Sequence, residues 1–331
     1  MRVGIWGASG YAGQDLVEIL SHHPHVEIVY GTSNSYAGQP IAFTNLDYIP
    51  SDAAIFEGID VVFLALPHGV SAQTAAKALQ AGCRVIDLSA DFRLDTPERY
   101  QKWYNHAHPH PELLPSPYGL PEFNRHQLTT DVRLVAAPGC YPTTTLLGLY
   151  PLLRIEALVA GRPIIVDAKS GVSGAGREPK PNLQFVEVAN NFAPYNPGRV
   201  HRHVGEIEQE IAKIAPQAGM LIFTPHLLPV ERGLMASIYV ELNDTFTSDS
   251  VQALYEEVYS HEPLVKVLPL GQQASLKHVI RTNGCAISIT AVSDKYVHIT
   301  SVTDNLRKGA SGQAVQCFNL ICGLEETMAL L

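Results

Sequence analysis

The chain opens on an apolar run, Val3 to Trp6, that passes straight into Gly7-Ala-Ser-Gly10-Tyr-Ala-Gly13 and then into the helical run Gln14 to Leu20. Three glycines spaced this way let a strand turn tightly into a helix, with backbone N–H groups and the positive end of the helix dipole left where an anion can sit. Short β-rich runs go on alternating with helical or loop segments at Val26 to Gly31, Val61 to Leu66, Arg84 to Leu88 and Leu134 to Ala137. Strands separated by crossover segments pair in parallel, so the pattern predicts an α/β fold whose first part is a doubly wound, Rossmann-type sheet.

After a helix expected from Thr143 to Tyr150, which Pro151 should end, the pattern changes. Strand-like runs follow one another at Pro163 to Ala168, Met220 to Leu227, Leu234 to Leu242, Leu264 to Pro269, Cys285 to Val292 and Tyr296 to Val302, with helices at Gly205 to Ile214 and Ser248 to His261. This predicts an α+β domain with an open, mainly antiparallel sheet covered on one face. The segment from Ala310 to Leu331 has apolar residues at helical spacing and should return to the first domain. The expected division is 1–140 with 305–331 for dinucleotide binding, and 141–304 for catalysis and oligomerisation. Asp91 to His126, rich in Pro, His and Tyr and without a clean period, reads as an ordered excursion.

A net charge of −9 argues against a nucleic-acid partner and for small molecules. No apolar run nears the roughly 20 residues that span a bilayer, and no leader precedes the first strand, so the expectation is a cytoplasmic protein without a membrane partner. The five cysteines, 83, 140, 285, 317 and 322, show no CxxC spacing and indicate neither a disulfide framework nor a zinc site. His106, His108 and His110 alternate in a Pro-rich loop without an acidic or cysteine partner at a recognised spacing; they read as structural, and no metal is expected.

The chemistry concentrates in four places. In Pro138-Gly139-Cys140-Tyr141-Pro142-Thr143, a cysteine stands where a strand runs into a helix, a position that stabilises a thiolate. Cys140 is thus the candidate nucleophile, and with the glycine turn it suggests a covalent acyl-enzyme reduced by a nucleotide. The turn supplies Gly7, Ser9, Gly10, Tyr11, Ala12 and Gly13 as cofactor contacts. About 20 residues beyond the glycines, where an acid usually holds the ribose of NAD, stand Thr32, Ser33, Asn34 and Ser35. Hydroxyls and an amide tolerate a 2′-phosphate, which favours NADP. His201-Arg-His203 with Glu206 lies at a helix start, where His201 can carry protons and Glu206 can fix a tautomer and raise basicity. Ser170 to Arg177 is a second glycine loop whose Ser173 and Gly174 let main chain approach a ligand.

These residues, in this order and spacing, resemble the N-acetyl-gamma-glutamyl-phosphate reductases, NADPH-dependent enzymes of arginine biosynthesis within the semialdehyde dehydrogenase superfamily. The resemblance spans essentially the whole chain through the two glycine loops, Ala65 to Gly69, Asp87 to Leu94, Tyr118 to Glu122, Pro138 to Thr143, His201 to His203 and Asp304 to Leu306. It implies Cys140 as nucleophile, His201 as acid/base, Asn305 beside the NADP site and a homotetramer. The implied reaction converts an acyl phosphate, N-acetyl-L-glutamyl 5-phosphate, to the 5-semialdehyde. A substrate with a carboxylate and a phosphate calls for cations, and Arg93, Arg177 and Arg202, with Glu206, make up the candidate substrate-binding set. Cys317 stands where the family is expected to carry asparagine. Two alternatives remain: the carrier-protein-linked reductase of lysine biosynthesis, whose cysteine is typically followed by Asn-Ala rather than Tyr141-Pro142, and an NADP-binding sensor that lost catalysis.

Overall fold

The computed structural model describes residues 1–331 apart from the side chain at position 249. The chain forms two compact units, Met1–Gly139 with Ala310–Leu331, and Cys140–Gly309.

In the first unit, strands β1 (Arg2–Trp6), β2 (Glu27–Gly31), β3 (Val61–Leu64), β4 (Arg84–Asp87) and β5 (Leu134–Ala136) form one sheet in the order β2-β1-β3-β4-β5. Every pairing in it is parallel. Parallel strands need cover on both faces, which explains why β3 reads Val-Val-Phe-Leu without alternation and is wholly buried. Helix Ser71–Gln80 lays Ala72, Ala75 and Ala78 on one face, where small side chains permit close approach to Val62, Leu64 and Val85. On the other face Phe318, from the C-terminal helix Gly312–Ile321, meets Phe63 with ring centroids 5.6 Å apart. Each such fully buried side chain contributes roughly 1.5–3 kcal/mol. The strand order reverses direction between β1 and β3, and ligands of open α/β sheets bind outside the strand ends at such a point.

The aperiodic segment Asp91 to His126 is ordered by side-chain hydrogen bonds. The fully buried Asp91 carboxylate accepts from the Gly69 N–H at 2.7 Å, the Ala72 N–H at 2.9 Å and the Tyr100 hydroxyl at 2.9 Å. A short helix, Pro97–Tyr104, lies inside it, with Pro97 in its first turn and the Thr96 side chain accepting from Arg99 N–H. His108 is spent on backbone: Nε2 binds the Asp91 carbonyl at 2.8 Å and Nδ1 accepts from His110 N–H at 3.0 Å.

The second unit holds a sheet in the order β10-β11-β12-β9-β6-β8-β7. Its strands are β6 (Ile164–Gly171), β7 (Ala193–Pro194), β8 (Leu221–Leu228), β9 (Leu234–Glu241), β10 (Val265–Val267), β11 (Cys285–Ala291) and β12 (Tyr296–Thr303). The pairs β10/β11 and β6/β8 are parallel and the rest antiparallel. Alternation along β6, β8 and β9 buries one face of each strand, as a sheet covered on one side requires.

The first helix of this unit departs from expectation. It runs from Cys140 to Arg154, starting three residues earlier than the sequence indicates and continuing through Pro151. Proline at 151 offers no N–H to the carbonyl of Leu147, one helical turn back, and the Tyr259 hydroxyl binds that carbonyl instead. The Tyr255 hydroxyl donates to the next carbonyl, that of Gly148. The helix tolerates its proline because Tyr259, just beyond helix Ser248–Val258, brings a phenol to the oxygen left without its N–H.

Candidate active site

The glycine turn of the first unit is shaped by close backbone packing. Gly7 has φ +76°, and a Cβ there would lie 2.4 Å from the Ala65 carbonyl oxygen beyond β3. A Cβ on Gly13 would lie 2.3 Å from Gly7 O and 2.7 Å from Ala8 Cα. Both glycines are therefore structural. Gly10 is different: it is the N-cap of helix Tyr11–Ser21 at φ −67°, ψ 163°, and its nearest neighbour to an added Cβ is Gly7 O at 3.5 Å. No side chain caps this helix, so Tyr11, Ala12 and Gly13 present its first turn of N–H groups. The end of β2 is tied to the turn: Gly7 N–H donates to Thr32 Oγ1 at 3.1 Å, and the Ser9 hydroxyl donates to Ser33 Oγ at 2.7 Å. Asn34 and Ser35 follow exposed, Asn34 Oδ1 accepting from Ser51 N–H at 2.9 Å. An uncapped helix start, with a hydroxyl- and amide-bearing loop beside it, fits a dinucleotide pyrophosphate and ribose.

Arg93, at the strand ends of the same unit, is buried. Its Nε donates to the Ala137 carbonyl and its Nη2 to the Leu88 carbonyl, both at 2.8 Å, so the guanidinium pins the ends of β4 and β5. Cys317 donates to the Gly119 carbonyl at 3.2 Å.

In the second unit Cys140 opens the 15-residue helix and is only partly buried, unlike Cys83, Cys285 and Cys317. Around its first turn stands a ring cluster. Tyr141 meets His201 edge-on at 5.8 Å, His203 at 5.9 Å and Phe223 at 5.3 Å; His201 lies 4.7 Å from His203 and 5.5 Å from both Tyr195 and Phe223. The Tyr195 hydroxyl donates to Tyr141 Oη at 3.2 Å, and Tyr141 donates to the His226 carbonyl at 3.2 Å. Each phenol has one proton, so both are committed along this relay. Burial pushes the acidities of Tyr141 and Tyr195 well down, with the nearby Cys140 charge acting in the same direction, so both stay protonated.

His201 Nδ1 accepts from His203 N–H at 3.2 Å, so the neutral ring carries its proton on Nε2. Burial, aided by the adjacent Arg202 charge, pushes its pKa down to about 4. This corrects the expected rise in basicity: removal of the imidazolium from water, with the Arg202 charge beside it, sets the direction. Glu206 is buried in helix His203–Ile214, and the hydrogen bond that sets the His201 tautomer comes from the backbone. Arg202 is exposed at the start of that helix and Arg177 half-buried after the second glycine loop.

Ser173, Gly174 and Asn305 are brought together. Asn305 Nδ2 donates to Ser173 Oγ at 3.0 Å, its Oδ1 accepts from Gly233 N–H at 2.7 Å, and a Cβ on Gly174 would lie 3.7 Å from Asn305 Nδ2. Sequence reasoning passed over Tyr195, Arg232 and Gly309. Arg232 is 8% exposed and pairs with the wholly buried Asp304 at 3.3 Å. No local pattern marks these residues, because each acquires its meaning from a neighbour distant in the chain.

The fold and the cysteine turn define a class. The semialdehyde dehydrogenase NAD binding domain matches residues 2–131 and the semialdehyde dehydrogenase dimerisation domain matches residues 140–305, and the chain belongs to this family. More particularly, it is similar to two proteins named N-acetyl-gamma-glutamyl-phosphate reductase. That of Moorella thermoacetica is 43% identical over 344 residues, covering 100% of this chain and 98% of the relative. That of Geobacter sp. is 44% identical over 341 residues with the same coverage. Among solved structures, aspartate semialdehyde dehydrogenase II from Vibrio cholerae matches with a TM-score of 0.76 at 19% identity, covering 97% of each chain, which shows the shared fold. Among the described residues no helix is long and apolar enough to cross a membrane.

Proposed function

We propose that the chain reduces N-acetyl-L-glutamyl 5-phosphate to N-acetyl-L-glutamate 5-semialdehyde in the cytoplasm, as a homotetramer using NADPH. The observation that carries the reading is Cys140 at the head of its helix, with His201 packed on the adjoining Tyr141, in a chain 43–44% identical along its whole length to reductases of that name. The preference for NADPH is supported by Ser33, Asn34 and Ser35 in place of an acid after β2. Self-assembly is supported by the dimerisation-domain match, and the tetramer by the resemblance of the sequence.

Thiolate Cys140 attacks the acyl carbon, the C–S bond forms and the C–O bond to phosphate breaks, leaving a thioester on the enzyme. When bound, NADPH supplies the hydride that takes this thioester to the aldehyde level. Collapse then breaks the C–S bond and returns the thiolate. His201 is suited to hold a proton toward the developing oxyanion, because its neutral ring keeps the proton on Nε2. The backbone N–H groups of the first helical turn offer a second source of oxyanion stabilisation. Gly7 to Gly13 and Ser33 to Ser35 are the residues of the first unit suited to a dinucleotide; in the second unit, Ser173, Gly174 and Asn305 are the residues we assign to cofactor binding. Arg93, Arg177 and Arg202 are the cations suited to the anionic ends of the substrate, with Glu206 supporting the histidine segment.

The reverse reaction tests this: NADPH formation from the semialdehyde, NADP and phosphate. Phosphate-dependent turnover is expected in the wild type, and a loss of about 1000-fold or more in a folded Cys140→Ser variant. Undiminished turnover in that variant would remove the nucleophile assignment. Inactivity of folded wild type, with turnover on a carrier-linked acyl phosphate, would remove the substrate assignment.

A further inference from the structure

The chain enters the second unit at Cys140 and leaves it at Gly309, and these two residues are packed together. A Cβ on Gly309 would lie 2.9 Å from Cys140 Cβ and 3.3 Å from Cys140 Cα, so only glycine allows this approach. The turn that carries Gly309 is organised by one carboxylate. Asp304, wholly buried, accepts on Oδ1 from Leu306 N–H at 2.9 Å and Arg307 N–H at 3.3 Å. On Oδ2 it accepts from Arg281 N–H at 2.7 Å and from Arg232 Nη1 at 3.3 Å. Its carbonyl accepts from Gly309 N–H at 2.9 Å.

A second hold comes from Thr303, at the end of β12. Thr144 donates its hydroxyl proton to the Cys140 carbonyl at 2.9 Å, so the 2.7 Å contact between the two threonine hydroxyls has Thr303 as donor. Residues 303–309 therefore hold the first turn of the Cys140 helix at its first residue and again at Thr144. Arg232 is fixed in turn, because Gly171 lies against its backbone, where a Cβ would meet Arg232 Cα at 2.7 Å, and because Gly233 N–H is held by Asn305. Arg307 to Ser311 form a π-helical turn, an irregularity that functional sites frequently retain.

We propose that the Arg232–Asp304 ion pair is a positioning device for the nucleophile, acting through the 303–309 turn and Gly309 to keep the Cys140 sulfur at the helix N-terminus where thiolate is favoured. Arg232 and Asp304 act as positioning residues and Gly309 as the contact that transmits them. The inference rests on Cys140 as the nucleophile but not on the identity of the substrate.

The test reads the thiol directly. Full-length protein is treated with iodoacetamide across a pH series, and alkylation of the Cys140 peptide is followed by mass spectrometry with the Cys322 peptide as internal reference. Asp304→Asn and Gly309→Ala are expected to slow Cys140 alkylation at pH 7 about tenfold by moving the midpoint of its pH profile upward by about one unit, with Cys322 unchanged. Arg232→Met is expected to act in the same direction, with Arg232→Lys restoring part of the rate. A folded Asp304→Asn protein with the wild-type profile would overturn the proposal. Should Asp304→Asn fail to fold, a wild-type profile in Gly309→Ala or in Arg232→Met would overturn it equally. Because no substrate enters the experiment, its failure is distinct from failure of the proposed reaction.

Discussion

The glycine turn after β1 and the cysteine turn after β5 both carry the chain from a strand into a helix, yet they are built in opposite ways. At Gly7 and Gly13 the shape comes from atoms that are missing: backbone packs where any side chain would collide. At Cys140 it comes chiefly from side chains supplied by distant stretches, with Tyr195, His201, Phe223 and Thr303 gathered around one helical turn. A site made by backbone is written locally, whereas one made by side chains exists only once the sheet has assembled. Substitutions should separate the two: the first should fail by losing its fold, the second by losing its chemistry.

The largest effect on stability is expected from Gly13→Ala. Its methyl would meet Gly7 O, Ala8 Cα and Ala8 C, all backbone, so no rotamer change can relieve the clash. A loss of about 3 kcal/mol is expected in urea unfolding, at the upper end for overpacked sites. A wild-type midpoint would break the comparison, because the turn would then not depend on an absent side chain.

The two units also hide titratable groups of opposite sign. His201 has its folded pKa lowered to about 4 from 6.5, so the stability it is associated with is present above pH 6.5 and lost as pH falls toward 4. Asp87, fully buried in the first unit, has its folded pKa raised to about 6 from 3.8 by burial, against the hydrogen bonds from Ser71 and Ser89. Its stability is fully present below 3.8 and lost as pH rises through 6. Between pH 7 and pH 5 the histidine should cost about 2 kcal/mol and the aspartate should return about 1 kcal/mol. Urea unfolding at the two pH values should therefore show a steeper acid loss in Asp87→Asn than in wild type, and a shallower or inverted one in His201→Asn. Identical pH responses in all three proteins would contradict the burial of both groups.

The difference in construction also explains what was legible in the sequence. The parallel sheet, the glycine turn and the candidate cysteine were readable because alternation of apolar runs and glycine spacing are local properties. The mainly antiparallel second sheet was readable from strand runs following one another, although its order, with β6 between β8 and β9, was not. The Cys140 helix continues past Pro151 against expectation, since the phenol that satisfies the carbonyl the proline frees lies more than 100 residues on. His201 was legible as a residue but not as an electrostatic state, because burial is a tertiary property. Arg232 and Asp304 carried no signal as a pair: an arginine in the loop between β8 and β9 and an aspartate at a strand end become informative only when the fold places them 3.3 Å apart.

The smallest effect on stability is expected from Gly10→Ala, and it sharpens the comparison most. Gly10 adopts φ −67°, ψ 163°, which any L-residue can take, and its only close neighbour to a new methyl stands at 3.5 Å, an ordinary contact. Alanine is a poorer N-cap than glycine, but it also reduces the freedom of the unfolded chain by about 0.4–1 kcal/mol, so the two terms should nearly cancel. Nothing in the protein itself then requires glycine at this position, in contrast to Gly7 and Gly13. If its purpose is to let a pyrophosphate approach the helix N-terminus, Gly10→Ala should unfold like wild type yet bind NADPH about tenfold more weakly, a difference that fluorescence titration of the bound nicotinamide would read. Wild-type affinity together with lost stability would make all three glycines structural, and would leave the turn without a residue that answers to the ligand alone.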